Sequence, residues 1–178
     1  MDRRALAISI MRVARLTGQF QLRSGATASE YFDKYRFESD PRLLRAVAQQ
    51  LAPLVPADTE VLAGLELGGV PIAAALSLET GLPVAFVRKE AKRYGTCRLA
   101  EGVEVGGRRV LVVEDVITSG GQVVSSAEQL RALGAMISTV ICVIDRQSGG
   151  VEALSRIGLR LAALFTKSEL EAVAADQL

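Results

Sequence analysis

Val110-Leu111-Val112-Val113-Glu114-Asp115-Val116-Ile117-Thr118-Ser119-Gly120-Gly121-Gln122 is the stretch whose reading decides the fold of this chain. Val110 to Val113 form a wholly apolar run, the mark of a strand buried on both faces in a parallel sheet. Glu114 and Asp115 then lie at its carboxyl end, where open α/β sheets bind ligands. Thr118, Ser119, Gly120 and Gly121 offer hydroxyls and free backbone N–H groups just before a helix-forming segment that starts near Val123, a natural cradle for a phosphate. Two acids beside a phosphate cradle would repel one anion if both touched it. The conflict vanishes if the acids face neutral hydroxyls, or a divalent metal, while the turn holds the phosphate. A sugar phosphate meets both demands.

The flanking sequence has the alternation of βα units. Apolar runs at 61–65, 84–87, 110–113, 139–144 and 160–165 alternate with helix-like segments, which predicts an α/β fold with a central, mainly parallel sheet. Asp40-Pro41 supplies an N-cap and a proline at the first helical position, ahead of Leu44, Val47 and Leu51. Gly81 and Gly134 suit helix ends. Arg3 to Thr17 puts Leu6, Ile10 and Val13 on one helical face. No repeat or low-complexity linker interrupts the 178 residues, so a single domain spanning 1–178 is expected.

The thirteen-residue string resembles the PRPP-binding motif of type I phosphoribosyltransferases. That resemblance implies their fold, with a small amino-terminal hood from about residues 1–40 and the C-terminal segment. It implies that Glu114 and Asp115 bind the ribose 2′- and 3′-hydroxyls and that Thr118 to Gln122 wrap the 5′-phosphate. Val116 and Ile117 complete the PRPP-binding string, and Asp115 is also a candidate catalytic residue. The last position is Gln122 where the family more often has Thr or Ser, and a Gln amide can still donate a hydrogen bond.

Residues 88–102, Arg-Lys-Glu-Ala-Lys-Arg-Tyr-Gly-Thr-Cys-Arg-Leu-Ala-Glu-Gly, narrow the choice. Arg88, Lys89, Lys92, Arg93 and Arg98 place five cations in eleven residues. The segment has neither helical nor strand period, so a mobile loop is expected. It resembles the catalytic loop of orotate phosphoribosyltransferases, which begins Arg-Lys and runs through Lys-x-x-Gly to Glu-Gly. The resemblance implies that Arg88, Lys89, Lys92 and Tyr94 meet PRPP, with Lys89 and Lys92 catalytic. It also implies a homodimer in which this loop serves the partner's site in trans. Tyr94 stands where the family often has His, and it can donate a hydrogen bond but carries no positive charge near neutral pH.

Three further segments resemble the same enzymes. Phe20 to Gly25 with Glu30 to Asp33 match the hood, implying that Arg23, Tyr31 and Phe32 contact orotate. Gly68-Gly69-Val70-Pro71-Ile72 matches a loop that presents backbone to pyrophosphate, its glycines removing Cβ atoms from an anion's path. Asp145-Arg146-Gln147-Ser148-Gly149-Gly150 matches the segment whose Arg contacts the orotate carboxylate, so Arg146 is the expected substrate reader, joined by Thr118. A guanidinium suits a carboxylate because the two pair as a bidentate fork. The resemblance runs from about Leu16 to Leu170 and implies transfer of phosphoribosyl from PRPP to orotate. It implies Mg²⁺ as cofactor, carried by PRPP near Glu114 and Asp115 with no direct protein ligand assigned.

Two other readings remain: a purine phosphoribosyltransferase, which has no need of Arg146, and a non-catalytic PRPP-sensing regulator. The regulator would normally carry a nucleic-acid-binding module and would have little use for the basic loop. Charge is nearly balanced, 21 basic against 20 acidic residues, so nucleic acid is not an expected partner. Apolar stretches are too short for a bilayer span and the amino terminus lacks a signal-peptide core, so a cytoplasmic location is expected. The two cysteines, Cys97 and Cys142, have no metal-ligand spacing. Cys142 reads as a buried small hydrophobe, Cys97 as incidental to catalysis. No histidine is present, which removes His triads, His metal sites and His bases.

Overall fold

A computed structural model describes residues 1–21, 25–91 and 98–176. Six strands form the central sheet: β3 (Val61–Leu65), β4 (Val84–Val87), β5 (Ala100–Gly102), β6 (Val110–Ile117), β7 (Thr139–Asp145) and β8 (Arg160–Thr166). Their spatial order is β5-β4-β3-β6-β7-β8. Every neighbouring pair is parallel except β4 with the short edge strand β5. The order reverses between β3 and β6, because the chain steps outward to β4 from one and to β7 from the other. That switch point leaves a crevice at the carboxyl ends of the two strands, which is where such sheets bind ligands.

Alternating residues of the central strands enter two separate cores, as a doubly covered sheet requires. Leu62, Leu111, Val113, Ile141 and Val143 pack on one side with helices α1 (Arg3–Ala14), α3 (Pro41–Leu51), α4 (Gly69–Thr80) and α7 (Lys167–Ala175). Val61, Ala63, Val110, Val112 and Val140 pack on the other with α5 (Gly121–Ala132) and α6 (Gly150–Arg156). Cys142 is fully buried on that second face, and burial first, then the nearby acids, pushes its thiol well above the ordinary range. It is packing material, as the apolar run around it indicates.

The five anticipated runs are all strands, and β7 and β8 each run one residue further, to Asp145 and Thr166. β6 continues four residues beyond Val113, through both acids to Ile117, because β7 runs alongside and supplies a ladder as far as the Ile117–Asp145 pair. The 88–102 segment is not a loop throughout. Ala100 to Gly102 pair antiparallel with β4, and Arg88 N–H donates to the Leu99 carbonyl at 2.9 Å. β4 is a sheet edge without this cover, and satisfying its free backbone groups outweighs the weak strand pattern of Ala-Glu-Gly.

The first helix ends at Ala14, three residues short of the expected Thr17. Its buried face is Leu6, Ala7, Ile10 and Ala14, with Val13 only partly covered. Arg15 to Gln21 instead form β1, antiparallel to β2 (Thr27–Phe32). This two-stranded ribbon stands apart from the main sheet. Asp40 caps α3 as expected, accepting from the N–H groups of Arg42 and Leu43. Between ribbon and α3 lies the single-turn α2 (Tyr35–Glu38). So short a helix is not stable by propensity alone. Phe37, fully buried against the core and 6.5 Å from the Phe32 ring, anchors it; that burial contributes roughly 1.5–3 kcal/mol. Among the described residues, no helix is long and apolar enough to cross a membrane.

Candidate active site

The β3–β6 ladder runs from the Val61–Val110 pair to the Gly64–Val113 pair and stops there. Glu114 and Asp115 are therefore the first residues of β6 beyond their β3 neighbour, projecting at the switch point. Both are buried. The turn after β3 closes tightly on them: a Cβ added at Gly68 would overlap Asp115 Oδ2, and one at Gly69 would overlap the Val113 carbonyl oxygen. These glycines thus make room for the protein's own carboxylate and backbone, a different reason from the approach of an anion that their sequence suggests.

Asp115 sits in a cluster of charge. Its Oδ1 accepts from its own strand neighbour, the Val116 N–H, at 2.5 Å. Its Oδ2 lies 2.5 Å from Lys34 Nζ in an ion pair, though not with regular hydrogen-bond geometry. Glu114 Oε1 accepts from the Asp115 N–H at 3.0 Å. A third acid, Glu38 of α2, is buried beside them with neither oxygen in a regular hydrogen bond. Burial, reinforced by the facing Asp115 carboxylate, pushes Glu38 up to about 9. Burial also pushes Glu114 well above the ordinary carboxyl range, again with help from Asp115. Asp115 takes the opposite direction. Burial opposes its charge, but Glu114, Glu38 and Lys34 together outweigh that cost and hold it below its ordinary value. Burial likewise disfavours the Lys34 charge, and pairing with Asp115 overrides it, so Lys34 stays protonated. Of three adjacent carboxyls, Asp115 is the one kept ionised.

Next along the chain, Thr118 and Ser119 are exposed and Gly120 adopts φ 76°, a left-handed conformation that favours glycine. α5 then begins with no side-chain cap, which leaves first-turn N–H groups available for an anion. Val116 is half-buried and Ile117 belongs to the core, so only their backbone can serve a ligand. The Gln122 amide donates to Ser126 Oγ at 3.3 Å, one helical turn on in α5.

On the β3 side, the Lys89 N–H donates to Glu66 Oε2 at 3.1 Å, leaving its exposed side chain at the mouth of the crevice. Arg88 is half-buried, and its Nε has no hydrogen-bond partner among the described residues. Arg98 pairs with Glu104 at 2.5 Å, a contact that accounts for one of the five loop cations. The expected ligands Arg23, Lys92 and Tyr94 lie outside the described residues, as do Arg93 and Cys97.

Arg146 follows β7, its N–H donating to the Ile117 carbonyl at 2.8 Å. Its side chain has no ion-pair partner among the described residues, and Asp145 instead accepts from the Gln147 N–H at 2.8 Å. Arg146 lines a cavity of about 530 Å³ together with Tyr31, Phe32, Ile144, Lys167 and Leu170. Tyr31 is exposed and rests 5.5 Å from the Phe20 ring, whereas Phe32 leans on the core through Phe37. β2, the end of β7 and α7 thus converge on one pocket holding an unpaired guanidinium and an aromatic wall. Such a pocket suits a planar, anionic ligand.

Glu114 and Asp115 offer the carboxylate oxygens that Mg²⁺ takes. Among the described residues no group of three or more His, Cys, Asp or Glu side chains is arranged to hold a metal. Mg²⁺ in general retains waters and uses substrate phosphates with few carboxylates.

Lys34 and Glu38 were not legible as site residues. Spaced four apart, they read as an ordinary solvated helical pair. Lys167 stands opposite Arg146 because β7 and β8 pair through Asp145 and Thr166, a register that the sequence does not announce.

The phosphoribosyl transferase domain, as a family described by its sequence model, matches residues 36–156. An orotate phosphoribosyltransferase of a Nocardioides species is 55% identical over 167 residues, covering 94% of this chain and 93% of that protein. The structure of Mycobacterium tuberculosis orotate phosphoribosyltransferase in complex with Fe(III) dicitrate is similar at TM-score 0.85 and 34% identity, covering 96% and 99% of the two chains. The same M. tuberculosis enzyme in complex with PRPP matches at TM-score 0.83, 30% identity and the same coverage. This chain belongs to the phosphoribosyltransferase family, within its orotate phosphoribosyltransferase branch.

Proposed function

We propose that the protein transfers the phosphoribosyl group of PRPP to N1 of orotate, giving orotidine 5′-monophosphate and pyrophosphate. One observation carries the reading. Two buried acids stand beside an uncapped helix N-terminus at the sheet's switch point, and β7 leads into Arg146, which has no ion-pair partner among the described residues, in an aromatic-walled cavity.

The C1′–oxygen bond to pyrophosphate breaks, its electron pair leaving with the pyrophosphate. N1 of orotate forms the new bond to C1′ and loses its proton. Positive charge grows on the ribose ring as negative charge grows on the leaving group, so the protein needs alignment and electrostatics but no nucleophile. Ionised Asp115 and its neighbour Glu114 accept from the ribose hydroxyls, and Asp115 lends negative charge close to the reacting ring. Thr118 to Gly121 and the first turn of α5 hold the 5′-phosphate. Arg88 and Lys89, with Lys92 and Tyr94 of the same loop, meet the pyrophosphate. Arg146, Tyr31 and Phe32, with Thr118 and Arg23, take orotate. Mg²⁺, when bound with PRPP, offsets the charge of the departing pyrophosphate. Closure of the loop that follows β4 excludes water that would hydrolyse PRPP, and in a homodimer that loop serves the neighbouring site. The ribbon and α7 act as the hood of a single 1–178 domain, and the enzyme works in the cytoplasm.

The test is incubation with PRPP, Mg²⁺ and orotate while following loss of orotate absorbance, run beside adenine, hypoxanthine and xanthine. Turnover of orotate alone is expected. Turnover of a purine with none of orotate would replace this reading.

A further inference from the structure

The mechanism above uses Asp115 but gives no work to the two residues of α2 and its entry that press against it. Lys34 immediately precedes α2, and Glu38 closes it. Lys34 Nζ lies 2.5 Å from Asp115 Oδ2, and its side chain is 32% exposed, so it reaches inward from the surface. The ammonium also lies 5.3 Å from the centre of the Tyr35 ring, which steadies it by a cation–π contact. Oδ1 is engaged by the Val116 N–H, and Oδ2 has no regular hydrogen bond among the described residues. Three buried carboxyls crowd this point, and Lys34 is the one cation that pairs with them among the described residues.

We propose that Lys34 is a positioning residue for the transferase reaction: by pairing with Asp115 Oδ2 it holds that carboxylate ready for the sugar hydroxyls. The proposal rests on the reading of Asp115 as a sugar contact. An ionised Asp115 beside Glu114 and Glu38 with no counter-charge would be costly, since an uncompensated buried charge is far dearer than a paired one. A carboxylate oxygen has two acceptor sites, so Oδ2 can keep Lys34 and still receive a hydroxyl. The chain link to the base pocket is direct. Tyr31 and Phe32 lie three and two residues before Lys34, and Phe37 pins the following turn into the core.

The experiment compares two probes, ribose 5-phosphate and inorganic phosphate, by calorimetry on wild type and Lys34→Gln. The first probe carries the hydroxyls and the second does not. Lys34→Gln is expected to weaken ribose 5-phosphate by about tenfold, below the usual cost of breaking a fully buried charge pair because Lys34 is partly solvated. Inorganic phosphate is expected to bind both proteins equally. In turnover, KM for PRPP should rise while kcat and KM for orotate change little, and Lys34→Arg should recover most of the lost affinity. Equal binding of ribose 5-phosphate by wild type and Lys34→Gln would overturn the proposal and leave the transferase reading intact. So would equal weakening of both probes, or no recovery in Lys34→Arg. Failure of wild type to bind ribose 5-phosphate or PRPP would instead remove the reading beneath it. One measurement needs no variant: the wild-type Lys34 ammonium resonance should shift on adding ribose 5-phosphate and stay put with inorganic phosphate. A resonance unmoved by saturating ribose 5-phosphate would also overturn the proposal.

Discussion

Two neighbouring strand-to-helix junctions, β3 to α4 and β6 to α5, look alike in sequence and differ in what their glycines do. Each turns through a Gly-Gly pair into a twelve-residue helix without a side-chain cap. At Gly68 and Gly69 the space that Cβ atoms would fill is already taken by Asp115 and the Val113 carbonyl. At Gly121 an added Cβ would meet only Ser119 Oγ, 3.9 Å away, and Gly120 is needed for its left-handed backbone. The first pair is a packing surface for the Asp115 carboxylate; in the second only Gly121 is open, since a Cβ at Gly120 would lie 3.2 Å from Gly150 Cα. In a third pair, Gly149-Gly150 after β7, a Cβ at Gly150 would lie 2.6 Å from Ile117 Cγ2 and 2.9 Å from the Thr118 carbonyl oxygen, whereas one at Gly149 would meet nothing within 4 Å. Close packing thus fixes at least one glycine in each of the three pairs.

The contrast is sharpest in Gly68→Ala. Its methyl group must displace the Asp115 carboxylate, and a misplacement of about 1 Å is worth roughly a hundredfold in rate; kcat/KM for PRPP should fall by that order. Near-normal kinetics would show that the junction gives way easily and would erase the distinction. Arg146→Ala leaves both junctions intact and should raise KM for orotate by roughly thirtyfold, in line with about 2 kcal/mol for hydrogen bonds to a charged group. Equal losses for orotate and PRPP would take Arg146 out of the base pocket.

Gly121→Ala should behave unlike Gly68→Ala. Its site has room, so the folded protein should gain about 0.5 kcal/mol from a stiffer unfolded chain, seen as a higher denaturation midpoint. Any rise in KM for PRPP should be smaller than that from Gly68→Ala. A loss of stability would mean that the second junction is as tightly packed as the first.

The mildest expectation concerns Glu38, which faces Asp115. Its carboxyl is raised to about 9 in the folded protein from an ordinary 4.5. Between those values the folded chain holds a proton that the unfolded chain has lost, so stability must fall as pH rises. The contribution is whole below about 4.5 and gone above about 9. Glu38→Gln copies the protonated form and should flatten this decline, with little change in acid and greater relative stability toward alkaline pH. Urea midpoints across the range check it; an unchanged slope would mean that Glu38 is already ionised in the folded protein.

Much of this molecule can be read from its residues in order. The strands at 61–65 and 140–144 are bare apolar runs because both faces of the sheet are covered there, and no other environment tolerates them so well. The acid pair and the glycine turn of 114–121 are contiguous, so the chain itself sets their spacing. What the chain could not settle involves neighbours from afar. β6 reaches Ile117 because β7 lies beside it, and β5 exists because the edge of β4 needs a partner. Lys34 and Glu38 carry the i, i+4 spacing of a solvated pair, yet Phe37 between them is drawn fully into the core and turns both toward Asp115. Local sequence dictates periodicity, turn chemistry and which side chains hate water. Which charge meets which is decided only when the strands are ordered, because electrostatics and packing act through space and take no account of distance along the chain.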